Sequence, residues 1–207
     1  MTKREHLNNQ LLEGLELLKY FNDDDFVRHI EINDIAISQF TLPKFKEDGT
    51  FVGGPREFRK EYSDFVQRHI NEVTNPCVYV FELVSPDLDT VSKTFKDFSL
   101  KQDKVNGAGK RVCSAIFAAD NGKIREANAP TILYVGKSEK PIDGRIVVHF
   151  GYYEKGVAGL QLVYWGKDIG LKINLHVFEL IKKEMHPYLE ALEKLLFIQL
   201  KPIIGKR

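Results

Sequence analysis

The feature that most constrains this chain is a change of pattern at Asn75-Pro76. Beyond it, short runs rich in β-branched and aromatic residues alternate with stretches of helical spacing. Cys77-Val78-Tyr79-Val80-Phe81-Glu82-Leu83 has the composition of a strand, and Pro86 ends it. Val112 to Ala119 reads as a second strand, followed by an Asp120-Asn121-Gly122 turn. Thr131 to Gly136 is a third, and Lys172 to Ile181 alternates well enough to be a fourth. Pro141 to Phe150 and Pro187 to Leu200 carry apolar residues at three- and four-residue steps, the mark of helices with one buried face. Strands interleaved with helices pack as layers. The expected fold class is therefore α+β, a small mixed or antiparallel central sheet flanked by helices.

Residues 1–75 read differently, as a largely helical N-terminal extension. Leu11, Leu12, Leu15, Leu18 and Phe21 recur at helical steps. A Gly- and Pro-rich loop runs from Leu42 to Pro55, and a second helix is expected from Arg56 to Val73. Nothing in this half carries recognisable chemistry. Residues 76–207 form the expected core, interrupted by an insertion at about 86–130.

Composition narrows the classes. No apolar stretch approaches the roughly 20 residues a membrane-spanning helix needs, and Met1 to Gln10 lacks an apolar signal core. A cytoplasmic location without membrane contact is the expectation. Cys77 and Cys113 are too few for a cysteine-rich zinc site or a disulfide framework. His176 and His186 lack zinc-like spacing and read as structural or surface residues. The net charge of +1 is unevenly distributed. Residues 1–75 hold 10 basic and 14 acidic side chains, whereas residues 93–125 hold 8 basic and 3 acidic. A chain polarised in this way can offer a basic face to phosphates while staying near neutral overall.

Gly136-Lys137-Ser138 suggests a phosphate-binding P-loop only superficially. That loop requires a glycine where Thr131 stands, and open backbone where this chain has an apolar strand. A different set of elements, taken in order, fits better. These are Val78-Tyr79 within the first strand, Tyr134-Val135-Gly136 in the third, and Arg145 followed by His149 four residues later on a helix. Glu193, nine residues before Pro202, and the ending Lys201-Pro202-Ile203-Ile204-Gly205 complete it. In this order and spacing they resemble the GIY-YIG nuclease family over about residues 76–207. Two departures stand out. Cys77 replaces the first glycine of the motif, and Gly205 stands where the family usually has an asparagine that braces the site.

The resemblance implies a metal-dependent endonuclease whose catalytic residues are Tyr79, Tyr134, Arg145, His149 and Glu193. Tyr79 would be the general base, or hold the attacking water, with its pKa lowered by Lys137, Arg145 and the metal. Tyr134 would orient water and phosphate. Arg145 offers a planar fork that matches phosphate oxygens two at a time. His149, on the same helix face, would contact the phosphate or relay a proton. Glu193 would hold one Mg²⁺ or Mn²⁺; Glu190, one turn earlier, is the alternative ligand but lacks the nine-residue step. Nucleic acid is the implied partner, with double-stranded DNA favoured, and a palindromic cut would favour a homodimer. Lys137 is a candidate phosphate contact. The basic insertion adds Lys101, Lys110 and Arg111, with Phe95 and Phe98 interleaved among its lysines, as a groove-entering or phosphate-tracking element. Gly205 motivates the alternative, a weak or inactive relative that binds nucleic acid or protein.

Overall fold

In the computed structural model, residues 26–42, 60–105, 131–152 and 159–205 are described. Among them lie four strands, β1 (Val27–Ala36), β2 (Cys77–Ser85), β3 (Thr131–Ser138) and β4 (Lys172–Leu180). The helices are α1 (Lys60–His69), α2 (Leu88–Val105), α3 (Asp143–Phe150), α4 (Leu162–Trp165) and α5 (Leu189–Leu200), the last preceded by a 3-10 turn at Lys183–Tyr188. The strands form one antiparallel sheet in the order β1-β4-β2-β3. The fold is α+β, as the alternation of strands and helices led one to expect.

Why the sheet takes this order is readable in β2. Residues 77–81 are all buried, because this central strand is covered on both faces. Cys77, Tyr79 and Phe81 join a large core with Leu133, Ile173, Leu175 and Val177 beneath α1 to α4. Val78 and Val80 join a second core with Ile132, Val135 and Leu180 beneath α5. A strand buried on both sides reads as a continuous apolar run, which is what made this one visible in the sequence.

Several expectations change. Val27–Ala36 is a strand, paired with β4 from Val27 opposite Leu180 to Ala36 opposite Lys172, so the helical reading of residues 1–75 fails there. Its polar alternation is interrupted at a bulge between Ile32 and Ile35, where Asp34 adopts a left-handed backbone (φ 54°). Such a broken pattern carries little strand signal. The second expected helix survives as α1, but it does not belong to a separate extension. Ile32, Ile35, Phe40, Tyr62 and Phe65 share one core with Tyr79 and Phe150. Within the expected insertion, α2 is a helix whose Phe95 is buried against Trp165, with ring centroids 5.3 Å apart. Phe98 packs against Tyr164. Phe95 is thus a core residue and not part of a nucleic-acid surface, whereas Phe98 is half-buried. The expected helix near Leu11 and the strand from Val112 to Ala119 lie outside the described residues.

A buried carboxylate ties the two halves together. Glu179 on β4 is 1 % exposed. It accepts hydrogen bonds from Arg28 on β1 (2.8 Å) and from the backbone N–H groups of Thr74 and Asn75 (2.9 Å each). Burial pushes the Glu179 pKa up, but these donors together outweigh it and hold the carboxyl below its ordinary value. The stabilisation it supplies is complete above the ordinary carboxylate value and fades as pH falls through the lowered one. Glu179→Gln should cost about 1–3 kcal/mol at neutral pH, measured by urea unfolding. The variant should also lose the part of the acid destabilisation that the wild type shows.

Candidate active site

β2 and β3 are neighbours, with Tyr79 opposite Gly136 and Phe81 opposite Tyr134. Tyr79 and Tyr134 therefore sit side by side on one face of the sheet, ring centroids 6.2 Å apart. That approach depends on Gly136. A Cβ there would lie 2.6 Å from the Tyr79 hydroxyl and 2.7 Å from the Tyr134 ring, so no side chain fits.

Helix α3 lies over these rings and delivers Arg145 and His149 to them. Its start is pinned where the Tyr62 hydroxyl on α1 donates to the Asp143 carbonyl. Its end is capped by Gly151, whose left-handed backbone (φ 103°) brings its N–H to the carbonyls of Val147 and Val148. His149 is wholly buried, and its Nε2 lies 2.8 Å from the Tyr79 hydroxyl. The Leu160 N–H donates to Nδ1 at 3.4 Å. Nδ1 is thus an acceptor, and the ring proton of the neutral imidazole sits on Nε2, pointing at Tyr79. The Arg145 guanidinium also hydrogen-bonds Tyr79. Two donors converge on one phenol oxygen, which holds both side chains in place.

The surroundings of Tyr79 raise its pKa where a lowered one was expected, and those of His149 keep its imidazole neutral. Tyr79 is 0 % exposed. Burial, seconded by Tyr134, raises its pKa well above the ordinary value, and the opposing Arg145 charge is too small to reverse this. Enclosed in this way, Tyr79 is held as a neutral phenol. Burial, aided by Arg145, lowers His149 to about 3, so it remains a neutral imidazole at physiological pH. Both lie behind Tyr134 and position the groups in front of them.

Those groups face a cleft of about 890 Å³ at the β3 end of the sheet, between α3 and α5. Tyr134, Lys137, Arg145 and Glu193 all line it. Glu193 is half-buried, and burial raises its pKa, with Lys137 opposing. Glu190 is exposed and outside the lining. It pairs instead with Lys194 at 2.7 Å and Lys137 at 3.7 Å. Lys137 also pairs with Glu139, at 3.8 Å.

The C-terminal segment lies along β3. Ile203 and Ile204 donate from their backbone N–H groups to the carbonyls of Ile132 and Leu133, so the chain end runs along the first half of β3 and leaves the second half to the cleft. Gly205 is buried, and a Cβ there would collide with the Phe197 ring. The space a side chain at 205 would occupy is filled by Phe197, a cleft residue that the sequence did not single out. Its one available signal was the four-residue step from Glu193, which puts both on one helix face. Lys140, Pro141, Gly144, Lys194 and Ile198 are further lining residues that were missed. Lys101 lies on α2, while Lys110 and Arg111 fall outside the described residues.

Among the described residues, no three His, Cys, Asp or Glu side chains are gathered as a metal cage. The cleft offers one partly buried carboxylate, Glu193. That suits a hard, largely hydrated ion such as Mg²⁺ or Mn²⁺, which binds through few carboxylates and completes its shell with phosphate. His176 instead pairs with Glu82 at 3.0 Å, and His186 contacts the Leu180 carbonyl, in line with their structural reading. No described helix is long and apolar enough to cross a membrane.

The His149 assignment has a direct check. Its ring protons should show no titration between pH 5 and 8 by NMR. The unfolded chain binds this proton below about 6.5 and the folded one does not. Stability should therefore fall on acidification below that value, by at most about 1.4 kcal/mol per pH unit from this residue.

No family model, curated protein or solved structure matches this chain.

Proposed function

We propose that this chain is a metal-dependent phosphodiesterase of the GIY-YIG type that cuts nucleic acid. One observation carries this. A guanidinium (Arg145), an ammonium (Lys137), a phenol (Tyr134) and a carboxylate (Glu193) meet in one cleft, although three separate elements bring them there. The adjacency of the two tyrosine strands supports the same reading.

Arg145 and Lys137 bind the non-bridging oxygens of the scissile phosphate and offset the charge that builds as water attacks. Tyr134 orients that water, the part the resemblance implies for it. The new bond joins the water oxygen to phosphorus and the phosphorus–O3′ bond breaks. The water proton leaves to solvent through the open cleft, and the departing oxygen takes one up. Glu193 would hold Mg²⁺ or Mn²⁺, which supplies charge stabilisation at the leaving oxygen when bound. Tyr79 and His149 act at one remove, by fixing the Arg145 fork and the Tyr134 ring.

Plasmid DNA incubated with Mg²⁺ or Mn²⁺ should be cut, and EDTA or Glu193→Ala should stop the cutting. Equal cleavage by the variant would remove Glu193 from the reaction, and no cleavage of DNA or RNA by the wild type would end the proposal. Tyr134→Phe should lower kcat more than Tyr79→Phe does.

Lys137 is held by two carboxylates before any phosphate arrives. Glu190→Gln releases it from one of them, and frees Lys194 as well, without removing a lining side chain. Nucleic-acid affinity should rise about two- to fivefold at low salt, and the gain should shrink as salt screens it. Fluorescence anisotropy across a salt series reads both effects.

A further inference from the structure

A site that grips only backbone phosphate needs charge and hydrogen-bond donors. This cleft has them at one part of its lining and something else beside them. Phe197, Ile198 and Pro141 give it an apolar wall, and Ile198 is 65 % exposed. On α5, Phe197 follows Glu193 by four residues, so the two side chains leave one helix face with their Cβ atoms about 5–6 Å apart. Three lysines and Arg145 line the same cleft with Glu139 and Glu193, and Glu190 outside the lining pairs with two of the lysines, so cations outnumber carboxylates by one and the charge favours an anion. Ion plus ring describes a nucleotide.

Gly144 points the same way. It lines the cleft in the first turn of α3, and a Cβ there would meet nothing within 4 Å. Neither packing nor a left-handed backbone requires glycine at this position, yet the missing side chain leaves room in the cleft. The volume, about 890 Å³, is also generous for a phosphate and ordinary for a larger organic ligand.

We infer that the Phe197 wall is a base subsite, taking an unpaired nucleobase next to the phosphate held at Arg145 and Glu193. The inference rests on the nucleic-acid reading above and sharpens it. In an intact duplex every base is stacked and paired, so none is free to enter a side cleft without being flipped out. The favoured substrate therefore carries a single-stranded or extrahelical nucleotide at the cut. This departs from the intact double-stranded DNA that the resemblance favoured. A phenylalanine face stacks on any base, so the subsite confers a preference for unpaired structure and not for sequence.

The test is an abasic scan. A short fluorescein-labelled single-stranded oligonucleotide is prepared with one abasic residue at each position in turn. Binding to the full chain is measured by anisotropy, in EDTA so that no cutting intervenes. The intact strand should bind at least about tenfold tighter than the same sequence as a blunt duplex, and one abasic position should lose about tenfold in affinity. Phe197→Leu should abolish that positional loss and Phe197→Trp should retain it, with thermal melts confirming that both variants fold. Gly144→Leu, which fills the cleft without touching a charged group, should weaken binding at every position. A flat abasic scan, or a positional loss unchanged in Phe197→Leu, overturns the subsite. Because binding is read without cleavage, a positional loss in a protein that never cuts would keep the subsite and end the nuclease proposal.

Discussion

The arrangement of the site depends on bare backbone at one position. Across Gly136 the Tyr79 ring lies so close to β3 that a single methyl group would displace it. With that ring in place, its oxygen gathers the His149 imidazole and the Arg145 guanidinium. Tyr134, on the adjoining strand, closes over them with its ring 4.7 Å from His149. The cleft begins on the far side of Tyr134. A glycine at 136 thus sets the depth of a buried polar layer, and that layer sets the direction of the guanidinium that faces the cleft.

This layering explains why residues from both faces of the sheet meet. In the strand order β1-β4-β2-β3, β3 comes last among the described strands. α3 packs on the face that carries Tyr79 and α5 on the face that carries Val80. Only at the end of the sheet can a side chain from one layer approach a side chain from the other. The cleft lies there, and the interactions that tune Glu193 come from Lys137 on β3 and Arg145 on α3 as well as from its own helix.

Burial sorts the titratable groups into two classes. Tyr79 and His149 are fully enclosed, and the low polarity around them keeps both neutral. Tyr134, Lys137, Arg145 and Glu193 retain access to solvent, which a group that exchanges protons or binds phosphate requires. The same logic covers Glu179, a carboxylate as enclosed as Tyr79. It keeps its charge because a guanidinium and two backbone N–H groups replace the water it lost.

The sequence by itself determined the elements with strong periodicity, namely β2, β3, β4, α3 and α5. It also determined spacings internal to one element, such as Arg145 to His149. Local pattern records which face of a single element is apolar, so such features are legible without a structure. It does not record what covers that face. β1 escaped notice because a bulge at Asp34 breaks its alternation, and Phe95 was misplaced because an apolar ring among lysines looks alike in a core helix and on a binding surface. The inward setting of Tyr79 and His149 was equally hidden. Whether a phenol ends in water or under a helix depends on α3, anchored from α1 far away in sequence. Phe197 under Gly205 is the same case: a ring can fill the room left by a missing side chain only after the chain end has folded back along β3. Those positions were decided by packing between distant segments, which no single stretch of sequence contains.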